Sequence, residues 1–313
     1  MDMKTTPPAP EDFAASVLAV PPLARRADLS LDRAANAALI RHLEAGGIRT
    51  LMYGGNANFY HVGMYEFGAI LDMVAELAAP TTWVIPSIGP DYGKMIDQAQ
   101  ALRATAFPTA MVLPPAPPVA ASGMATGLRR VAERAGRPLI LYVKSEGVLA
   151  PAAIAALVAD GVLAGIKYAI ARADPLRDDF LRALVDAVGP RRIVSGMGER
   201  PAIAHLRGFG LAAFTSGCVC IAPRTSQALL AACRRGDWDA AERLRALFVP
   251  AEDFREAHGF IPVLHDAVGF AGVAQMGPML PLLDNLPAAL HPRARELAAE
   301  LVAAEAGRAT LAA

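Results

Sequence analysis

Only four lysines occur in the 313 residues, Lys4, Lys94, Lys144 and Lys167, and all other basic side chains apart from histidine are arginine. An arginine stays protonated and is a poor nucleophile. A lysine amine can be desolvated, deprotonated and made to attack a carbonyl carbon. Lys167 closes the apolar run Val162-Leu163-Ala164-Gly165-Ile166, where a low dielectric disfavours the charged amine and lowers its pKa. Tyr142 closes the apolar run before it. If the two runs are neighbouring parallel strands, a phenol lies beside an amine, and the pair can form and dehydrate a carbinolamine. The residues alone leave two readings of Lys167 open: an imine-forming nucleophile, or a strand-end lysine that snorkels to solvent or pairs with a carboxylate. Tyr142 alone equally fits an amphipathic aromatic at a strand end.

Other polar or backbone-exposing residues close apolar runs. Gly54-Gly55-Asn56 follows the second. Gly55 lets backbone N–H groups approach an anion, and the Asn56 side chain adds a donor, an arrangement suited to a substrate carboxylate. A plain tight turn is the competing reading. Lys144, Gly196 and Thr215 stand at the ends of the fifth, seventh and eighth runs and are expected to border the substrate. His61 and His205 are isolated and read as structural or exposed. Cys218, Cys220 and Cys233 form neither a disulfide framework nor a zinc ligand set and read as small packing residues. No metal site and no cofactor are expected.

These residues need elements to hold them. Eight short strand-like runs span 15–20, 48–55, 81–89, 109–115, 138–145, 163–169, 192–198 and 211–217, each followed by a helical stretch with apolar residues at spacings of three and four. Strands that are apolar throughout and separated by helices are parallel and covered outside. Eight such units predict a (β/α)8 TIM barrel, with a doubly wound sheet as the competing fold. No G-x-G-x-x-G loop follows the first strand, which weakens that competitor. The barrel is expected to fill 1–236. Residues 237–313 are expected to form a C-terminal helical extension of three helices packed on it. Barrel active sites lie at the C-terminal strand ends, which is where the residues above stand.

Composition agrees with a metabolic enzyme. Hydrophobic residues make up 54%, and Lys+Arg equals Asp+Glu at 30 each, so nothing points to nucleic acid or a membrane surface. No run of about 18 uncharged apolar residues is present, and the first residues lack the apolar core of a signal peptide. A cytoplasmic location is expected.

The order of these motifs resembles the dihydrodipicolinate synthase / N-acetylneuraminate lyase family of class I aldolases over roughly residues 13–280. The family's G-T-T-G-E turn is matched in position by Gly54-Gly55-Asn56-Ala57-Asn58. Its Y-N-x-P segment is matched by Tyr142-Val143-Lys144-Ser145, its G-I-K signature by Gly165-Ile166-Lys167, and its S-G motif by Ser195-Gly196. The resemblance implies Lys167 as the Schiff-base lysine, Tyr142 as the proton carrier, a small 2-oxo acid substrate such as pyruvate, no cofactor, and a homotetramer or homodimer. The departures are informative. Both threonines of the turn are replaced, by Gly55 and Asn56. The stretch Leu113-Pro114-Pro115-Ala116 lacks the synthases' tyrosine pair. Gly147 stands where the synthases carry a carboxylate-binding arginine. The expected activity is therefore a lyase on a sugar-acid-like 2-oxo acid rather than the synthases' condensation. Dehydration of a deoxy-oxo sugar acid through the same imine is the alternative, and a non-catalytic metabolite-binding barrel is a second.

Overall fold

A computed structural model describes residues 3–312; residues 1, 2 and 313, at the outer ends of the two expected segments, lie outside the described residues. Eight parallel strands close into a barrel in chain order: β1 (Leu18–Ala19), β2 (Thr50–Tyr53), β3 (Trp83–Ile88), β4 (Ala110–Val112), β5 (Leu139–Val143), β6 (Leu163–Tyr168), β7 (Ile193–Ser195) and β8 (Ala213–Ser216). Each falls inside one of the eight expected runs. Eight helices follow them in turn: α1 (Arg33–Ala45), α2 (Met64–Leu77), α3 (Tyr92–Arg103), α4 (Ala121–Ala135), α5 (Pro151–Ala159), α6 (Asp179–Val188), α7 (Ala202–Phe209) and α8 (Pro223–Arg235). The fold is the (β/α)8 barrel. Every strand residue but Tyr142 is buried, as strands covered on both faces require.

The barrel floor explains one glycine of the G-I-K run. Phe13, in a helical turn ahead of β1, packs edge-on against Trp83 with ring centroids 5.2 Å apart. A Cβ on Gly165 would lie 2.3 Å from the Phe13 ring. Gly165 is thus the hole that admits the plug. Lys167, two residues on, shares its inward face and stands one layer higher, because side chains alternate along a strand.

The C-terminal extension holds four helices rather than the expected three: α9 (Trp238–Ala246), α10 (Val249–His258), α11 (Phe260–Phe270) and α12 (His291–Ala312). The stretch expected as one helix from Asp237 breaks between α9 and α10. Pro250 sits in the first turn of α10, where its missing N–H costs nothing. The expected second helix stops at Phe270, and Gly272 follows with φ 72°. Asp237 caps α9 by accepting from the Ala240 N–H at 3.1 Å, one residue after the left-handed Gly236 that ends α8. Among the described residues no helix is long and apolar enough to cross a membrane.

Candidate active site

Lys167 and Tyr142 are paired across β5 and β6. Parallel partners in register point the same way, so both enter the barrel lumen. The Lys167 Nζ lies 4.4 Å from the centre of the Tyr142 ring. Lys167 is 6% exposed. Burial, with the positive fields of Lys144 and Arg255 added, lowers its pKa from 10.5 to about 7. Burial, and secondarily Tyr60, pushes the Tyr142 phenol upward, so it stays protonated as a donor. The arrangement is a half-neutral amine over the ring of a protonated phenol, which suits attack on a carbonyl and proton return to the departing oxygen. The neighbouring residue, Tyr168, points outward: its hydroxyl donates to Asp178.

The other expected residues divide. Gly196 lies against the lysine. Its N–H donates to the Tyr168 carbonyl at 2.6 Å, and a Cβ there would meet that carbonyl at 2.8 Å and Lys167 Cγ at 3.0 Å. Thr215 is buried on β8. Register carries Lys167 to Val194 and Val194 to Ala213, and Thr215, two residues further, shares that inward face. Gly55 and Asn56 open a helical turn at Gly55–Ala57, so their N–H groups have no partner within it. The Asn56 side chain, expected to add a donor for the substrate, is engaged within the protein. Its Nδ2 donates to the Val20 carbonyl at 2.8 Å and ties the turn to the end of β1. Lys144 is exposed at the rim and acts on Lys167 through its charge. It is not paired with Glu146, whose carboxylate instead receives Arg172.

His205 Nδ1 lies 2.8 Å from Ser195 Oγ outside the barrel wall, and burial lowers its pKa to about 4. The three cysteines are buried and free. Among the described residues no group of His, Cys, Asp or Glu could hold a metal ion.

Several further groups stand at this end. Ser87 is buried on β3 with no partner for its hydroxyl, and 3.2 Å from where a Gly54 Cβ would be; its polar type in the run Trp83-Val84-Ile85-Pro86-Ser87-Ile88 was the available signal. Asn58 is left-handed at φ 60°, a conformation Asn tolerates, and both its amide atoms are buried without partners. Tyr60 covers Gly55, its ring 3.2 Å from where a Cβ would stand. Arg172 is held by Glu146 and by Asp178 at 3.0 Å, beside the exposed Gly147. Arg255 comes from α10, far along the chain, where no local spacing announces it.

The model of the dihydrodipicolinate synthetase family matches residues 17–293. The chain belongs to that family. Its members are class I aldolases and related lyases, and this chain is an enzyme of that type. The relatives spread across several names. A Streptomyces coelicolor protein named probable 5-dehydro-4-deoxyglucarate dehydratase 2 is 25% identical over 285 residues, covering 90% of this chain and 88% of the relative. Two solved structures share the fold. Dihydrodipicolinate synthase from Bacillus clausii has a TM-score of 0.80 at 23% identity, with 94% of this chain and 99% of that one covered. The wild-type sialic acid aldolase of Ruminococcus gnavus has a TM-score of 0.83 at 13% identity, with 94% and 99% covered.

Proposed function

We propose that the protein is a Schiff-base lyase in which Lys167 forms an imine with the keto carbon of a polar, sugar-acid-like 2-oxo acid. The observation that carries this is the Lys167 amine: buried, 4.4 Å above the Tyr142 ring, with its pKa lowered to about 7. The Lys167 nitrogen attacks the keto carbon. Tyr142 gives a proton to the carbinolamine hydroxyl, which leaves as water. The protonated imine then accepts the electron pair of the bond between the next two carbons of the substrate: as that bond breaks, the far carbon's hydroxyl gives up its proton and becomes a carbonyl, and the enamine left on Lys167 is protonated and hydrolysed by water; bond formation is the reverse. Backbone N–H groups of Gly55 and Asn56 suit the carboxylate, and the inward face shared by Gly196 and Thr215 borders the chain of the substrate. Lys144 supplies positive charge at the rim for a further anionic group.

A second reading is dehydration through the same imine, favoured by the dehydratase name of the Streptomyces relative. There a proton leaves the carbon next to the imine and hydroxide leaves the carbon beyond it, emerging as water. Both readings make pyruvate or a related 2-oxo acid the ligand class. They place the enzyme in the cytoplasm as a homotetramer or homodimer, in keeping with the family.

The synthases' own condensation fits less well. The aldehyde partner's carboxylate is best gripped by a guanidinium's two parallel donors. Gly147, at φ 86°, has nothing within 4 Å of where a side chain would begin, and nearby Arg172 is held by Glu146 and Asp178. Losing one charge-assisted bond weakens binding by about 1.5–3 kcal/mol. The test compares pyruvate plus aspartate semialdehyde with a panel of 2-oxo sugar acids. Turnover of a sugar acid is expected. Turnover of the semialdehyde at about 1–10³ s⁻¹, with none of the sugar acids, would overturn the proposal.

A further inference from the structure

Behind Gly196, two buried carboxyl groups meet that the proposed reaction does not use. Glu199 follows β7 and Glu252 belongs to α10; both are fully or nearly fully buried. Glu252 accepts two backbone N–H groups of the strand-seven loop, from Glu199 at 2.8 Å and Arg200 at 2.7 Å. The loop is shaped to receive it. Gly198 is left-handed at φ 77°, and a Cβ there would fall 1.7 Å from Glu252 Oε1. Glu199 Oε1 accepts from the Ser226 hydroxyl at 2.6 Å. The Ser216 hydroxyl and the Glu252 carboxyl also lie within hydrogen-bonding reach of this carboxyl.

Two buried carboxylates in contact would repel, so one keeps a proton. Burial raises the proton affinity of both. The hydrogen bonds decide which one stays charged. Glu252 takes a backbone N–H on each of its oxygens and feels Arg255 on its own helix, whereas Glu199 faces the hydroxyls of Ser226 and Ser216, which can turn to accept as well as donate. A protonated Glu199 fits this arrangement, its O–H donating to Glu252. The cluster then carries one carboxylate for one buried guanidinium, the balance a dry site demands. The surrounding groups on the packed elements are Arg200 on the loop, Ser216 on β8, Cys218 and Cys220 in the turn after β8, and Ser226 on α8. Arg200 is itself held by Asp253 and Glu256 of α10.

We propose that Glu252 and protonated Glu199 form a one-proton clamp by which the C-terminal extension fixes the wall against Lys167, making Glu252 a positioning residue for the site. The path is short. Glu252 holds residues 199 and 200, and the same loop begins at Gly196, which is bonded to the Tyr168 carbonyl and packed on the lysine stem. Arg255, one turn along α10, has its guanidinium 2.7 Å from where a Gly217 Cβ would lie. One helix of the extension thereby braces the loops after both β7 and β8. Nothing in this depends on whether Lys167 forms an imine.

The clamp makes the two glutamates unequal, and that inequality is the test. Glutamine at 199 mimics the protonated acid: its NH₂ donates to Glu252 and its oxygen accepts from Ser226. Glutamine at 252 turns an NH₂ toward one of the backbone N–H donors and loses that bond. Hydrogen exchange of the amides at 199 and 200 is measured on the full chain, together with the pH dependence of reductive methylation of Lys167 by formaldehyde, read by peptide mass. Glu199→Gln should leave both unchanged within about twofold. Glu252→Gln should speed exchange at least tenfold and move the methylation midpoint of Lys167 upward as water enters. Gly198→Ala, which pushes the carboxylate out of its seat from the barrel side, should repeat the Glu252→Gln result and serves if that variant does not fold. Equal behaviour of the two glutamine variants would overturn the clamp. Faster exchange in Glu252→Gln with an unmoved Lys167 midpoint would overturn the positioning role.

Discussion

Replacing Lys167 with methionine should stabilise the fold at neutral pH, and the gain should shrink as pH rises. In the folded chain the amine titrates near pH 7, held down by burial first and by Lys144 and Arg255 second. In the unfolded chain it titrates near 10.4. Between those values the unfolded state binds a proton that the folded state does not, so wild-type stability climbs with pH at about 1.36 kcal/mol per unit. Below the folded value both states are protonated and the penalty is at its full size. Above the unfolded value it is gone. The burial penalty at pH 7 is then about 4 kcal/mol and at pH 9 about 2 kcal/mol, both upper values for a group that solvent can partly reach. Methionine fills similar volume without charge. Urea unfolding of wild type and Lys167→Met at pH 7 and pH 9 measures the difference. The methionine advantage should fall by about 2 kcal/mol between the two. An advantage independent of pH, or a methionine variant less stable at pH 7, would show that the lysine is not held near neutrality by its surroundings. The gain in stability at the loss of the nucleophile is the trade expected at a strained functional site.

Tyr142→Phe keeps the ring over the amine and removes the proton carrier, so kcat should fall by about 10²–10⁴ while KM changes little; unchanged kcat in steady-state assays would take Tyr142 out of the reaction. Gly196→Ala places a methyl 2.8 Å from the Tyr168 carbonyl and 3.0 Å from Lys167 Cγ. It should lower kcat at least tenfold with the chain still folded by circular dichroism, and wild-type turnover would show that the wall does not set the lysine. Ser87→Ala removes a buried hydroxyl that has no partner among the described residues. It should raise KM for the substrate without loss of stability, and a fall in melting temperature with KM unchanged would give Ser87 a structural role.

Local pattern carried the barrel. Eight apolar runs at regular intervals, with helical periodicity between them, require parallel strands covered on both faces, and closure follows from their number. The pairing of Tyr142 with Lys167 was legible because each closes its own strand, and strand ends of a parallel barrel meet at one mouth. The extension was less legible: Pro250 inside a continuous helical pattern looks tolerable at either end of a helix, and only packing shows that a new helix begins there. The bond from the Asn56 side chain was not legible because its partner, the Val20 carbonyl, lies just past β1, thirty-six residues away. The pairing of Glu146 with Arg172 was likewise out of local view, its partner being twenty-six residues away. Glu252 and Arg255 were invisible, since charged residues on an extension helix read as a solvated face until the fold buries them, and Glu199 stands in a loop whose burial no local pattern announces.

The most direct measurement is the intact mass of the protein after borohydride reduction with pyruvate and a panel of polar 2-oxo acids, followed by peptide mapping. The account predicts one adduct per chain, on Lys167. An adduct on Lys144 or Lys94, or none with any 2-oxo acid, would contradict it.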